Sequence, residues 1–226
     1  MNVVVFASRK GGSGKSTLAA HLAAHVHRSS RPCLLIDVDP QGSLTLWHKL
    51  RGTGEPPLKT AVRGIDSIIR AAKQDGVEWV FIDTPPNMSG IVTDAIRAAT
   101  LVVIPARPTV FDLAAIKETI AFARQLRKPY AVVFNATPAR REEVESPLVT
   151  QARDALAALR VPVWGGQITN RANLILALAE GEGAREYDSD SRAAFEISRL
   201  WSAIDKSVRA IRGVTESSGA MHRAAA

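Results

Sequence analysis

Residues Lys10 to Thr17 read KGGSGKST, directly after the apolar run Val3 to Phe6 and directly before the helical run Leu18 to His27. Strand, glycine turn and helix in that order gather backbone N–H groups and a helix N-terminus around an anion. Gly11, Gly12 and Gly14 let the backbone close on oxygens that a side chain would hold off. Lys15 then reaches the outer phosphates of a nucleotide and the Ser16 hydroxyl completes the shell of a magnesium ion, with Ser13 and Thr17 in the same turn. The general pattern has a glycine five positions before its last one, and Arg9 stands there, beside Lys10. The strict pattern therefore fails by one residue.

The elements that must hold this turn are visible as short β-branched runs at Val3 to Phe6, Leu34 to Ile36, Trp79 to Ile82, Leu101 to Ile104, Ala131 to Phe134 and Val161 to Trp164. Helix-length segments with apolar positions three and four apart separate them. The alternation predicts an α/β fold, a doubly wound, mostly parallel twisted sheet with helices on both faces. Ligands of such sheets sit beyond the carboxyl ends of the strands. Arg9 to Gly14, Asp37, Asp83 and Asn135 all follow or end such runs, so these polar residues are expected on one edge.

At 226 residues, 46% of them hydrophobic, the chain can bury one full core. A single domain over residues 1–212 is expected, with RGTGEPP, Arg51 to Pro57, as its clearest internal loop. The tail 213–226 lacks periodicity and is expected to be disordered. The apolar runs are strand-sized, short of the roughly 20 residues a membrane span needs, so no stable membrane insertion is expected. The start MNVVVFASRK shows no apolar signal core, which makes the cytoplasm the default location. Cys33 reads as a small buried hydrophobe. His21 and His25, four apart on the first helix, lack a third ligand in any recognisable pattern and read as ordinary helix histidines. Trp47, Trp79, Trp164 and Trp201 read as packing residues.

KGGSGKST with its extra lysine resembles the deviant phosphate loop of the ParA and MinD group of P-loop ATPases. The resemblance implies that Lys10 reaches across a face-to-face homodimer, with ATP sandwiched between the protomers, to the partner's phosphates. LLIDVDPQGS, Leu34 to Ser43, is similar to the group's second motif, which implies that Asp39 orients the attacking water and Asp37 supports the metal shell. FIDTPP, Phe81 to Pro86, resembles its Walker B strand end, implying magnesium held by Asp83 through water. PTVFDLAAI, Pro108 to Ile116, resembles the segment in which Asp112 caps a helix facing the dimer partner. VVFNATP, Val132 to Pro138, resembles the base-binding strand end, where Asn135 offers its amide to adenine; an Asx turn before Pro138 is the alternative. The resemblance extends to Ile168 to Ile197, and the start at the first strand places the chain with short ParA forms lacking a DNA-reading extension.

A formal charge of +7 and a pI near 10.0 favour polyanionic partners. Ile197, Leu200, Trp201, Ile204, Val208 and Ile211 mark one face of a helix, which puts Arg192, Arg199 and Lys206 in line on the opposite face. Such a stripe grips phosphates or is a solvated face. By resemblance, short ParA dimers bind DNA without sequence preference through this region, and Arg171 and Arg192 match best. Arg124, Arg127, Lys128, Arg140 and Arg141 either extend that surface or lie elsewhere. The reading that follows is an ATP- and Mg2+-dependent partition or positioning ATPase on the nucleoid, stimulated by a ParB-like or cargo-adaptor protein. The rivals are a MinD-like membrane-associated switch, disfavoured by a polar, alanine-rich end; an electron-transfer iron protein, disfavoured by a lone cysteine; and an ATP-dependent scaffold without hydrolysis.

Overall fold

Valine, isoleucine, leucine and phenylalanine dominate the four inner strands, which are buried along their whole length, as continuous apolar runs covered on both faces must be. The computed structural model describes the backbone of residues 1–61 and 64–224, and side chains as far as Val214. In chain order the elements are β1 (Asn2–Phe6), α1 (Lys15–Val26), β2 (Cys33–Asp37), α2 (Ser43–Arg51), β3 (Leu58–Thr60), α3 (Asp66–Gln74), β4 (Trp79–Asp83) and α4 (Gly90–Ala98). There follow β5 (Leu101–Ala106), α5 (Val110–Gln125), β6 (Tyr130–Phe134), α6 (Pro147–Ala158), α7 (Ala172–Ala179), α8 (Ala184–Tyr187) and α9 (Arg192–Ala224).

The strands form one six-stranded sheet in the order β3-β2-β4-β1-β5-β6, and every pairing is parallel. Alternate residues of each strand serve opposite layers. Val4, Phe6, Trp79 and Phe81 pack with α1 and α9, whereas Val3, Val5, Val80 and Ile82 pack with the layer of α3 to α6. In α9 the stripe read from sequence is the buried one: Ile197, Leu200, Trp201, Ile204 and Val208 all lie in the core. Trp201 meets Trp79 edge-on at 4.6 Å between ring centroids.

Two expectations are revised. Val161 to Trp164 is not a strand: a single bridge joins Val132 and Val163, because Pro162 has no N–H to donate and Gly165 and Gly166 follow at once. β3 is a strand that no apolar run announced, since it is a short edge element with Lys59 and Thr60 exposed. The backbone of α9 is helical from Arg192 to Ala224. Residues 225 and 226, the end of the tail 213–226, lie outside the described residues.

The chain passes from β1 over β4 to β2, and later from β4 over β1 to β5. β1 therefore stands where the winding reverses, the position at which open parallel sheets form their ligand crevice.

Candidate functional site

The turn from β1 to α1 passes through Gly12 at φ +70° and Gly14 at φ +98°. A Cβ on Gly14 would lie 1.9 Å from Asn135 Nδ2, so only glycine fits there. That same Nδ2 donates to the Ser13 carbonyl at 2.8 Å. Asn135, expected to address a base, thus has its NH2 group turned to the phosphate turn. Helix α1 starts at Lys15 with no side-chain cap and no acid in its first turn, leaving its leading N–H groups available to an anion. Lys15 is buried, and burial lowers its pKa while Asp83 and Asp39 hold it up. Gly11, Gly12, Gly14, Lys15, Ser16 and Thr17 line a cavity of about 510 Å³, to which Asp39 and Leu46 and Leu50 of α2 also contribute.

Asp37 and Asp83 are partners in the β2–β4 register and both are buried, yet their surroundings differ. Asp37 accepts from Asp39 N at 3.1 Å, Thr45 N at 2.9 Å and Thr45 Oγ1 at 2.6 Å, which pins α2 to the sheet edge. Among the described residues Asp83 has no hydrogen-bond partner on either carboxylate oxygen. Burial drives its pKa up to about 7; the nearby Ser16 hydroxyl pulls the other way, although neither oxygen meets it at full hydrogen-bonding geometry. A buried carboxylate with both oxygens open fits a hard cation, and Ser16 and Asp83 are the oxygen donors placed to hold one. Asp39 is half-buried, with Oδ1 accepting from Gln41 N at 3.0 Å.

Lys10 is half-buried and does not line the cavity of its own chain. Its neighbour Arg9 is tied away by an ion pair to Glu118. Helix α5 is capped by Thr109, not by Asp112 as expected: the Thr109 side chain accepts from Asp112 N, and Thr109 Oγ1 donates to Asp112 Oδ2 at 2.8 Å. One residue at this edge escaped the sequence reading altogether. Arg107, just past β5, donates from Nη2 to the Gly12 carbonyl at 2.9 Å, and a lone arginine before a proline carries no pattern that marks it.

Arg192 and Arg199 of the expected stripe meet Arg171 and Arg140 in a second cavity of about 320 Å³, lined also by Phe195 and Glu143. Lys206, exposed two turns farther along α9, does not line it. Most of these cations are already engaged. Arg171 pairs with Glu196 at 3.0 Å, and Glu196 also accepts from Thr169 N and Oγ1, both at 2.8 Å. Arg140 pairs with Glu145 at 3.0 Å and Arg192 with Glu143 at 3.1 Å, while Arg199 stands over the exposed ring of Phe195. Glu142 and Glu143 both hold positive φ at the tip of a tight turn closed between Arg141 and Val144. Arg127 and Lys128 lie elsewhere, with Arg212 around a cavity at the strands' amino ends.

The remaining singled-out residues are structural. His21 is buried with Nε2 beside the Leu174 carbonyl at 3.2 Å and Nδ1 accepting from Ala184 N at 3.1 Å, and burial lowers its pKa to about 4. Burial pushes the Cys33 thiol up to about 12.

Residues 4–184 match the model of the CobQ/CobB/MinD/ParA nucleotide binding domain. The chain belongs to this family. Among relatives, the Maintenance of carboxysome distribution protein A of Gloeobacter kilaueensis is 31% identical over 208 residues, covering 88% of this chain and 95% of that protein. Protein ParA of Rhizobium radiobacter is 40% identical over 117 residues, covering 50% of this chain and 51% of that protein, so this chain spans about half of its length. Among solved structures, the MinC:MinD cell division protein complex of Aquifex aeolicus shares the fold at a TM-score of 0.74 and 21% identity, covering 91% of this chain and 96% of that one. The chain thus carries the nucleotide-binding domain of the ParA/MinD group, on the parallel sheet those proteins share.

Proposed function

We propose that the chain binds ATP with magnesium, closes into a homodimer around the nucleotide, and holds DNA without sequence preference until a ParB-like or cargo-adaptor protein stimulates slow hydrolysis. The observation that carries this reading is the glycine cradle at Gly12 to Ser16 with the open, buried carboxylate of Asp83 beside it. Magnesium, when bound, neutralises charge on the outer phosphates. Lys15 meets those phosphates from a buried position, where its charge is least screened. Asp39 orients the attacking water, a role supported by its position on the cavity wall and its partial exposure. Asp37 supports the metal shell indirectly, by fixing Asp39 N and the start of α2. Lys10, outside its own cavity, serves the partner's phosphates, so hydrolysis depends on dimerisation.

Arg192, Arg199 and Lys206 are exposed and supply the phosphate contacts, with Arg171 held behind them by Glu196. This reading places the protein in the cytoplasm, on the nucleoid. Among the described residues no helix is long and apolar enough to cross a membrane. The test is a gel shift with duplex DNA beside flotation with anionic vesicles. Protein with ATP and magnesium is expected to shift DNA at low salt and to release it steeply as salt rises. Equal shifts with ADP, or vesicle binding without DNA binding, would favour the membrane-associated reading. In the same preparation Asp39→Ala is expected to retain ATP and the dimer without turnover.

A further inference from the structure

Two consecutive carbonyls of the phosphate turn are held by side chains from distant parts of the chain. Asn135 Nδ2 donates to Ser13 O at 2.8 Å, and Arg107 Nη2 donates to Gly12 O at 2.9 Å. In a trans peptide the C=O and the N–H of one unit point in opposite directions. Fixing the Gly12 carbonyl therefore fixes the Ser13 N–H on the other side of the turn, and fixing the Ser13 carbonyl does the same for the Gly14 N–H. Successive amides aimed one way form an anion-binding concavity.

The two holders differ. Asn135 works from the core, whereas Arg107 is exposed and reaches over from the segment between β5 and α5. Arg107 forms no ion pair among the described residues. Its own N–H points to Asp112 Oδ1 at 3.4 Å, and that carboxylate is in turn held by Thr109. Gly12 at φ +70° has no side chain to hinder rotation of its peptide, and a Cβ there would lie 3.6 Å from Arg107 Nη2.

We infer that Arg107 is a positioning residue for the nucleotide: its guanidinium clasps the Gly12 carbonyl and so presets the Ser13 N–H toward the phosphates. This rests on the nucleotide reading of the same turn. Without the clasp, the peptide must be ordered at the moment of binding, which lowers affinity.

Calorimetric titration of the full chain with ATP and magnesium tests it. Arg107→Met keeps the apolar stem and loses the donor; Arg107→Lys keeps a donor of similar reach; Lys15→Ala is the control for loss of the site. Arg107→Met is expected to weaken binding about five- to tenfold, with most of the affinity restored in Arg107→Lys and an unchanged melting temperature without nucleotide. The loss is expected to be equal at about 0.05 M and about 0.5 M salt, because a backbone clasp is not screened as a direct charge on phosphate is. Wild-type affinity in Arg107→Met, or a loss that fades at the higher salt, would overturn the clasp. Failure of the unsubstituted chain to bind ATP would instead remove the nucleotide reading, and the clasp with it.

Discussion

Asp83 and Arg192 mark two opposite ways of leaving a charged group. Asp83 is fully buried with neither oxygen partnered; Arg192 is 70% exposed and already carries Glu143. An unpartnered buried carboxylate costs roughly several kcal/mol in the ionised form, so a cation or a proton at this carboxylate stabilises the cleft. An exposed ion pair contributes only about 0.2 to 1 kcal/mol, so phosphates can displace it readily. The carboxylate at the phosphate edge therefore favours a cation strongly, while the ion pairs of the groove exchange at little cost, as the proposed contact with DNA requires. His21 stands between the extremes, buried like Asp83 but bonded on both ring nitrogens.

The hardest blow to the phosphate side of this contrast is Lys15→Ala. It is expected to cut ATP affinity at least about a thousandfold by titration calorimetry, since a buried cation facing phosphates has no substitute in the cleft. His21 gives a pH test of what partnering achieves. Its folded pKa of about 4 lies below the unfolded value of 6.5, so below pH 6.5 the unfolded chain takes up a proton that the native state refuses. Stability is expected to fall by up to about 3 kcal/mol between about pH 6.5 and 4 in urea titrations, and less steeply in His21→Gln. Asp83→Asn removes the open charge: without ligands the variant is expected to be more stable by about 1 to 2 kcal/mol at pH 8, while losing the magnesium dependence of ATP binding. In the groove the expected effect is smallest. Glu143→Gln frees Arg192 and is expected to tighten duplex DNA binding about two- to fivefold at low salt by fluorescence anisotropy. No change there, with DNA still bound through Arg192, would mean that the pair does not compete.

The phosphate turn was legible because it is local: eight adjacent residues between a strand and a helix carry the whole pattern. The inner strands were legible because burial on both faces leaves uninterrupted apolar runs. What escaped was long-range or exposed. Arg107 lies 95 residues from Gly12, and Glu143 lies 49 residues from Arg192, so neither partnership leaves a spacing to read. Asn135 was recognisable at its strand end, but its target, Ser13, is 122 residues away, and only the folded sheet brings the amide under the turn. Asp37 and Asp83 look alike as strand-ending aspartates; the difference arises from Thr45, which occupies one and leaves the other open.

The strand order also sets a schedule for synthesis. β1 pairs only with β4 and β5, and β2 only with β3 and β4, so the first long strand of the chain has no neighbour until Trp79–Asp83 has left the ribosome. At about 5 to 20 residues per second the nascent amino-terminal segment waits several seconds with two apolar edges open. The arrival of β4 joins β1 to β2 and leaves one edge of β1 open until Leu101–Ala106 follows, which makes the stretch before β4 the moment of greatest exposure to aggregation and the point after which a chaperone acting on the growing chain is expected to let go.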